Sequence, residues 1–478
     1  MSIKNKPRPK ILEWKKCMFS KYTHHFLRLD VICFVLVAVL AIYIGKCYLS
    51  VSSFSSSTNN GQKHWPIVQD WEQIFETQVH EKFFVYSAFY DYLGGDAIVK
   101  VLGATTPKIQ TKFYCHLFDN AREHYETVTS TLQITRHASR ELQISPVTIF
   151  CKLAGLKYLP SFVSLSPDRA LSRSRIKLIP VIYNKPNDLE RGDKNILSKT
   201  IGFAACVQPT YEYDDVWQFL QWIEFQMIMG VEHFTFYNIS IGPQTSCLIK
   251  NYNMNAQTGP IIKVLPWQNI RQIPELHNNG QVVQATDCAA RFKNKAKFVV
   301  ILDYDEYIIP RQNLSQQINN YNQLVQFSLA NLEYKGHIPV QFQFRSGLFG
   351  LGWPAYQNAK KATKVEDKIT NKLYLLKHVT RLKHIEPFNY RAKFITMPDF
   401  VTEPGIHSMV HALPKNGIEL LVPETVAYVH HYRKCNWAED CAGKETEQDK
   451  TGHAFIQQLL PRVVKRYQSV KDLCGIKL

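Results

Sequence analysis

Apolar and polar positions in the middle of the chain predict a buried strand that ends in acidic residues. Phe298 to Leu302 form an apolar run without a polar break, which is typical of a short strand buried on both faces. Asp303-Tyr304-Asp305-Glu306 follows directly, and Ile308-Ile309 continues the apolar pattern up to Pro310. Burying an unpartnered carboxylate is costly, so acids at the end of such a strand indicate a partner or a ligand.

The region before this strand alternates between strand and helix patterns. Val216 to Met229 carries apolar residues on one helical face, with Asp214 or Asp215 as a cap and Gly230 as its end. Further elements are predicted as strands at Gly202–Val207, Val231–Asn238 and Ile261–Leu265, and as a helix at Gln281–Asn294. Strand, helix and strand in this order predict a β-α-β unit and therefore an α/β fold with a parallel, Rossmann-like sheet.

Asp303 and Asp305 are spaced to bind one cation. Residues i and i+2 of an extended chain project to the same side, and hard oxygen ligands suit Mg²⁺ or Mn²⁺, which commonly bridge carboxylates to substrate phosphates. Ligands of open α/β sheets bind at the carboxyl ends of the strands. The pattern therefore favours a D-x-D site for a nucleotide-sugar diphosphate; the alternative is a solvated acidic turn without a function.

The region before residue 201 has strand patterns but no recognisable chemistry. Strands are predicted at Glu81–Asp91, Val99–Ala104, Lys112–Phe118 and Thr148–Ala154, and the polar stretch 171–198 is predicted as a connection. We interpret residues 81–200 as an N-terminal β-rich subdomain with a connection.

The N-terminus has the pattern of a membrane anchor. Residues 31–45 are apolar and uncharged, and a snorkelling Lys46 extends the span to about Val51, close to the ~20 residues that span a bilayer. Eight basic and two acidic residues precede them, a net charge of +6 in residues 1–30. The alternative, a cleaved signal peptide, is disfavoured by this long basic region. We therefore predict a cytoplasmic tail (1–30), a transmembrane helix (31–51), a polar stem (52–80) and a lumenal bulk.

Charge and cysteines narrow the class of protein. The formal net charge is +17, but beyond residue 30 the basic residues are scattered, so no nucleic-acid partner is predicted. Eight cysteines follow the predicted span, an even number that permits disulfides in an oxidising compartment, and Cys435 and Cys441 are close enough to pair. Of the sequons at Asn238 and Asn313, we predict glycosylation only at Asn313, because Asn238 directly follows a strand at the ligand-binding edge.

Several short motifs stand in a fixed order along the chain. They are Cys206-Val207-Gln208-Pro209, Trp222-Ile223-Glu224-Phe225, Gly230-Val231-Glu232-His233-Phe234, Tyr237-Asn238, Pro266-Trp267, Gly280-Gln281, Asp287-Cys288, Asp303-Tyr304-Asp305-Glu306-Tyr307, Phe349-Gly350, Arg391-Ala392-Lys393, Met397-Pro398, Gly405-Ile406-His407 and His431-Tyr432-Arg433. In this order they resemble glycosyltransferase family 92 over about residues 200–435 and more loosely over 82–118. The resemblance implies a Golgi type II membrane enzyme with a GT-A fold. It also implies that galactose is transferred from UDP-galactose to a glycan with inversion.

The predicted site residues fall into groups by role. Asp303 and Asp305 are predicted to bind Mn²⁺ or Mg²⁺, with Glu306 supporting them, and a late histidine, first His407 and then His431, is the expected further ligand. The predicted donor-binding residues are Pro209, Tyr237, Asn238, Asp287, Arg391, Lys393 and Arg433. Trp353 is the predicted acceptor contact, and the weak candidates for the general base are Glu366, Asp367 and Glu403. For the histidines and basic residues the alternatives are a structural role and a solvated surface; for Asp287 it is a helix-surface acid.

The resulting hypothesis is a catalytic domain at residues 201–435 and a C-terminal extension at 436–478. Its partners would be a UDP-sugar donor and a glycan acceptor on a glycoprotein or glycolipid. The main alternative is a membrane-anchored, non-catalytic glycan-binding protein with the same fold. A metal-dependent phosphoesterase is weaker, since it needs more acids and histidines near Asp303 than the sequence has.

The charge pattern generates a test of topology. Protease added to intact microsomes should remove only about the first thirty residues, because the basic segment is predicted to stay on the cytoplasmic side. An antibody against the C-terminus should still detect a protected fragment on a gel, and detergent should abolish the protection. Digestion of the bulk of the chain in intact microsomes would contradict this topology.

Overall fold

A computed structural model gives the fold from Trp65 to Leu478, which forms one compact unit. The structure describes residues 65–77, 80–93, 95–135, 143–153, 155–156, 158–172, 176–184, 201–254, 259–314, 317–356, 364–435, 441 and 443–478. The predicted tail, membrane anchor and stem up to residue 64 lie outside the described residues. Every helix within the described ranges falls short of the length and apolar character that crossing a membrane requires.

The N-terminal part is a closed β-barrel. Its strands are β1 (Glu72–Glu76), β2 (Lys82–Leu93), β3 (Asp96–Thr105), β4 (Tyr114–Phe118), β5 (His124–Ile134), β6 (Ser145–Lys152), β7 (Phe162–Ser166) and β8 (Ile179–Ile182). They follow the order β1-β2-β3-β6-β5-β4-β7-β8, and β8 also pairs with β2, which closes the ring. The β-rich character and four of the strands are confirmed. However, β8 lies within the stretch predicted as a connection.

The region from residue 201 onward is a mixed α/β arrangement. Its strands are β9 (Ile201–Thr210), β10 (Val231–Asn238), β11 (Ile261–Pro266), β12 (Ala296–Leu302), β13 (Glu306–Pro310), β14 (Ile338–Phe344), β15 (Ser346–Gly350), β16 (Thr380–Leu382), β17 (Lys393–Thr396), β18 (Val401–Glu403), β19 (His411–Ala412), β20 (Gly417–Val422), β21 (Ala427–Arg433) and β22 (Thr446–Gln448). The helices are α1 (Val216–Ile228), α2 (Pro243–Met254), α3 (Gln281–Phe292), α4 (Tyr321–Asn331), α5 (Val365–Thr370), α6 (Tyr374–Lys377) and α7 (Ile456–Val470).

Two sheets meet at the acidic turn. The larger has the order β11-β10-β9-β12-β17-β14-β20, and the smaller has the order β13-β21-β15-β16-β22. The strands β11, β10, β9 and β12 are parallel, as the β-α-β pattern predicts. β12 contains the buried apolar run and ends at Leu302, and β13 begins in the other sheet after three intervening residues. Residues 303–305 therefore connect the two sheets.

The C-terminal segment, predicted as an extension, packs against the α/β region. Helix α7 packs on α1, where the rings of Trp217 and Tyr467 lie 5.2 Å apart. Arg462 Nε also contacts the buried Glu224 carboxylate at 3.2 Å. The apolar face of the amphipathic helix α7 packs on α1, which is far away in sequence. The order of elements along the chain therefore does not show this contact.

Four disulfides crosslink the described residues, in agreement with the even cysteine count. They join Cys115 to Cys151, Cys206 to Cys288, Cys247 to Cys474, and Cys435 to Cys441. The last is the pair that short spacing indicated. Cys206–Cys288 fixes α3 on β9, and Cys247–Cys474 fixes the chain end on α2.

Asp287 joins the barrel to the larger sheet. Its carboxylate accepts hydrogen bonds from Ser87 Oγ of β2 at 2.6 Å and from Tyr237 OH of β10 at 2.5 Å. Arg291, one turn further along α3, donates through Nε at 2.6 Å and through a second nitrogen at 3.1 Å. The carboxylate is fully buried, and the guanidinium group of Arg291 balances its charge. These contacts therefore stabilise the junction.

An aromatic cluster fills the space beside this ion pair. Trp267 contacts Tyr86 at a ring-centroid distance of 4.3 Å, Tyr237 at 4.9 Å and Trp71 at 5.2 Å. Tyr86 OH donates to the carbonyl of Pro266 at 3.1 Å. Because barrel and sheet residues contribute to one apolar core, the two parts are packed together along this face.

The junction generates a prediction of stability. Asp287→Asn should lower the free energy of unfolding by about 3 kcal/mol, because it leaves the Arg291 charge without its buried partner. Chemical denaturation followed by tryptophan fluorescence measures this change. Glu366→Gln, an exposed acid at the start of α5, is the control and should alter stability by less than about 0.5 kcal/mol. Equal stability of the Asp287→Asn variant and the wild type would contradict the assigned role.

Candidate active site

A cavity of about 320 Å³ opens at the carboxyl ends of β9 and β12. Parallel strands direct their carboxyl ends to one edge of a sheet, and this is where ligands of such sheets bind. The lining residues are polar or charged apart from one proline: Gln208, Pro209, Asn278, Asn279, Gln281, Asp303, Glu306, Arg391, Lys393, His407, His431 and Arg433. The cavity therefore suits a charged ligand.

Three carboxylates converge at the base of the cavity. Oxygen atoms of Asp303, Asp305 and Glu306 all lie within 4.8 Å of one another. The turn is held tightly, because Asp303 N donates to Glu306 Oε2 at 2.9 Å and Glu306 N donates to the Asp303 carbonyl at 3.2 Å. Glu306 thus orients the turn that carries both aspartates.

Lys393 places a buried positive charge between two of these acids. Its Nζ lies 2.7 Å from Asp303 Oδ2 and 2.9 Å from Glu306 Oε2, and its side chain is 2% exposed. Sheet register explains the position. Lys393 begins β17, whose next residue, Phe394, pairs with Ile301 near the end of β12. On the far side of the turn, Gln281 Nε2 donates to Asp303 Oδ1 at 3.1 Å.

His431 approaches the same acids from the smaller sheet. Residue 431 of β21 pairs directly with Glu306 of β13. Its Nε2 lies 3.5 Å from Asp305 Oδ2, and its Nδ1 lies 3.5 Å from Glu306 Oε1. Burial alone would lower the pKa of His431, but the two carboxylates outweigh it and raise that pKa above its usual value.

The two aspartates differ in their protonation behaviour. Burial, reinforced by the neighbouring Glu306, raises the pKa of Asp303 to about 6 despite the opposing charge of Lys393. Burial alone would also raise the pKa of Asp305. The nearby His431 and Lys393 outweigh this effect and hold the pKa of Asp305 below its usual value. Asp305 is therefore the more firmly ionised of the pair.

His407 contributes a neutral imidazole to the lining of the cavity. Its Nδ1 lies 3.1 Å from the carbonyl oxygen of Ala392. A carbonyl only accepts hydrogen bonds, so Nδ1 donates and Nε2 of the neutral ring keeps its lone pair. Burial, assisted by the charge of Lys393, lowers the pKa of His407 to about 4. The ring is consequently neutral near pH 7, the form that binds metals.

The acidic cluster fits a divalent cation. Asp305 Oδ1 is buried and has no hydrogen-bond partner among the described residues, and such an atom is costly unless a ligand binds it. Three carboxylates face one ammonium group in Lys393, leaving an excess of negative charge. Carboxylate oxygens are suitable ligands for Mg²⁺ or Mn²⁺.

One wall of the cavity is a left-handed turn that the sequence analysis missed. Asn278, Asn279 and Gly280 have φ values of 49°, 52° and 76° before α3 begins at Gln281. Non-glycine residues seldom adopt such angles, and they concentrate at functional sites. Two asparagines before a glycine and a helix start were the available signal. The turn directs the amino end of α3, and with it Gln281, toward Asp303.

Gln343 joins the two loops that carry basic and imidazole groups into the cavity. Its fully buried amide Nε2 donates to Asn389 Oδ1 and to the His407 carbonyl, both at 2.9 Å, and its Oε1 accepts from Asn389 N at 3.0 Å. Asn389 and Arg391 both have positive φ, at 66° and 51°. One side chain of β14 thus holds the loops of Arg391 and His407, a relation that sequence spacing does not show.

Comparison with known proteins gives the family. The profile described as glycosyltransferase family 92 matches residues 201–466, more than half of the chain. The chain belongs to glycosyltransferase family 92. The comparison with curated proteins found no match. Among solved structures, the crystal structure of a mycobacterial protein is similar at 13% identity, covering 58% of this chain and 76% of that chain with a TM-score of 0.24. A likeness this weak carries no argument about fold.

Most of the residues chosen from the family 92 motifs meet in the cavity. The structure brings together Pro209, Asp303, Glu306, Arg391, Lys393, His407, His431 and Arg433 in its lining, with Asp305 in the adjoining acidic cluster. They come from five separate stretches of the chain. Their meeting is an observation of position, and their individual roles stay predictions.

Other predicted donor-binding residues lie outside this lining. The Asp287 carboxylate accepts hydrogen bonds from Ser87, Tyr237 and Arg291 at the barrel junction. The hydroxyl of Tyr237 therefore donates to Asp287 there. Asn238 Oδ1 accepts from Ile241 N at 2.8 Å and stabilises the turn after β10. The sequence correctly predicted that Asp287 lies on a helix. It did not show that the side chain is buried, because the barrel residues that cover it come from a distant part of the chain.

The acceptor and base candidates are also spread apart. Glu366 and Asp367 are exposed in the first turn of α5, whereas Glu403 is buried and accepts from Gln133 and Thr135 near the barrel.

Trp353 is half-buried against Gly350, the residue that pairs with Arg433. Residues 346–350, which lead into this segment, form strand β15. Asn313 is exposed in the turn after β13.

The histidine geometry generates a prediction about metal affinity. His407→Ala should weaken Mn²⁺ binding, measured by calorimetry in the presence of UDP, by about tenfold or more, since it removes a neutral ring nitrogen with a fixed tautomer. His431→Ala should have a smaller effect, because His431 is paired with carboxylates. His384→Ala, at an exposed histidine, is the control. Weakened binding in His431→Ala with unchanged binding in His407→Ala would reverse this ranking.

Proposed function

We propose that this family 92 protein is a metal-dependent inverting hexosyltransferase with a GT-A fold. It moves a sugar, galactose from UDP-galactose in our proposal, onto a glycan of a glycoprotein or glycolipid. The family supports a transferase, and the donor sugar follows from the resemblance of the motifs.

The observation that carries the proposal is the acidic cluster at the base of a basic-walled cavity. Asp303, Asp305 and Glu306 offer oxygen ligands within 4.8 Å of one another, and the lining includes Arg391, Lys393 and Arg433. A divalent cation bound to these acids supplies charge stabilisation for a departing nucleoside diphosphate. A ligand with both metal-binding and anionic groups matches this combination of charges.

The basic residues have separate tasks in binding the donor. Arg391 and Arg433 present guanidinium groups that match diphosphate oxygens in a planar, two-bond geometry. Gln281 holds Asp303 at the amino end of α3, where the helix dipole favours negative charge. Pro209 and Gln208 at the end of β9 form the opposite wall. These contacts would orient the donor with its diphosphate over the acidic cluster.

The acceptor side is less completely assigned. Trp353 sits against Gly350, and Leu351 N donates to the Arg433 carbonyl at 3.0 Å, which supports an aromatic acceptor platform beside the donor cavity. Inversion needs a general base near the acceptor hydroxyl. Glu366, Asp367 and Glu403 lie outside the described lining of the cavity, and we assign the base to none of them.

We further propose that the protein is a single-pass type II membrane protein of the Golgi, with residues 65–478 in the lumen. The support is the basic segment before the apolar stretch 31–51 and four disulfides in the described residues, which persist in oxidising compartments. Asn313, exposed in its turn, is the proposed glycosylation site.

Transfer of labelled galactose from UDP-galactose onto a glycan panel, with the full-length protein in detergent, tests the proposed function. Activity should require Mn²⁺ and disappear with a chelator. Asp305→Asn should reduce the rate by about a hundredfold or more, because it removes the charge of the more firmly ionised aspartate from the metal site. The single-turnover rate separates this loss from slow product release.

Asp472→Asn is the matched control, since Asp472 is exposed near the C-terminus and should retain full activity. Turnover of Asp305→Asn at the wild-type rate would contradict the metal assignment. Glycan binding without transfer from any nucleotide sugar would favour the non-catalytic alternative. Release of UDP without sugar transfer to any acceptor would instead indicate hydrolysis.

A further inference from the structure

Lys393 contributes a buried ammonium group to the acidic cluster of the candidate metal site. Its Nζ contacts Asp303 Oδ2 at 2.7 Å and Glu306 Oε2 at 2.9 Å, so it binds directly to the acids that surround the candidate metal site. The side chain is 2% exposed. It is therefore a fixed component of the cluster, unlike a surface lysine that samples many positions.

The cluster would be unstable without such a charge. Three carboxylates lie within 4.8 Å of one another, Glu306 buried and the two aspartates partly buried, so their negative charges repel one another. Lys393 offsets this repulsion at Asp303 and Glu306, while Asp305 Oδ1 has no hydrogen-bond partner among the described residues. The ammonium group thus covers one side of the acidic cluster, and His431 lies beside Asp305 Oδ2 and Glu306. Asp305 Oδ1 is the oxygen that remains open.

We propose that Lys393 is a resident counter-cation, which holds the acidic cluster together without metal and prevents tight binding of a bare divalent ion. When a metal and a nucleoside diphosphate bind together, the Lys393 ammonium group exchanges its contact with Asp303 for a contact with a phosphate oxygen. This inference rests on the proposed function, since it assumes a diphosphate ligand in the cavity.

The direction of this exchange follows from charge. A bare divalent cation must share Asp303 with a neighbouring ammonium group, and two positive charges at close range oppose each other. A diphosphate brings compensating negative charge, to which both the metal and Lys393 are attracted. The Asp303 carboxylate stays oriented throughout, because Gln281 holds its other oxygen. The site would therefore select metal and donor together.

Mn²⁺ binding without turnover tests the inference. Free Mn²⁺ in titrations of the full-length protein in detergent is measured by electron paramagnetic resonance, with and without UDP. Without UDP, Lys393→Met should bind Mn²⁺ about tenfold or more tightly than the wild type, because the competing charge is gone. In the wild type UDP should strengthen Mn²⁺ binding markedly, and in Lys393→Met this strengthening should shrink.

Thermal stability provides the second measurement. Without metal, Lys393→Met should melt at a lower temperature than the wild type, since the carboxylates lose their counter-charge, and Mn²⁺ alone should restore more of its stability than it adds to the wild type. Lys393→Gln gives the same expectations, and its amide can still donate to the acids, so it serves if Lys393→Met does not fold. Lys100→Met is the control. Lys100 is also buried and donates to the Thr402 carbonyl, so its loss should lower stability without changing Mn²⁺ affinity.

Equal Mn²⁺ affinity of wild type and both neutral variants in the absence of UDP would overturn the inference. So would an identical effect of UDP in all three proteins. These measurements are independent of sugar transfer. A protein that binds Mn²⁺ as described but transfers no sugar would support the inference and contradict the proposed transferase activity.

Discussion

The buried contact of Lys393 with Asp303 and Glu306 is the constraint on which the candidate site depends. Acids at the end of a strand buried on both faces are unfavourable unless positive charge lies close by. Lys393 meets this need from β17, and His431 approaches Asp305 and Glu306 from β21. Both positions are set by register with β12 and β13. The charges therefore remain paired only while the two sheets keep their relative alignment.

The same alignment determines the shape of the cavity. The turn 303–305 passes from the larger sheet to the smaller, so its carboxylates face the space between them. Gln343 holds the loops of Arg391 and His407, and the left-handed turn 278–280 places the amino end of α3 against Asp303. A polar cavity thus forms where rigid elements converge, and the conformations with positive φ lie in the loops between them. Such preorganisation is what binding a charged ligand requires.

The barrel contributes to this arrangement from outside the site. Ser87 of β2 reaches Asp287, and Tyr86 packs on Trp267, so the back of α3 is covered by barrel residues. Asp287 illustrates the limit of reading a motif without a structure. Its sequence position before the metal strand favoured a donor contact, yet its carboxylate neutralises Arg291 and joins the two parts of the fold. A buried, fully hydrogen-bonded acid and a ligand-binding acid are indistinguishable along the chain.

The sequence by itself determined the β-α-β order, helix α1, the buried strand β12 and the acidic turn, because local periodicity and the spacing of the acids encode them. The motifs also determined the family. Only the tertiary structure decided which acids share the cavity, that Lys393 contacts two of them, and that Asn278, Asn279 and Gln343 take part. It also decided that the barrel closes and that α7 packs on α1. These features depend on contacts between residues far apart in sequence, where pairing register and burial, rather than local pattern, set which side chains meet.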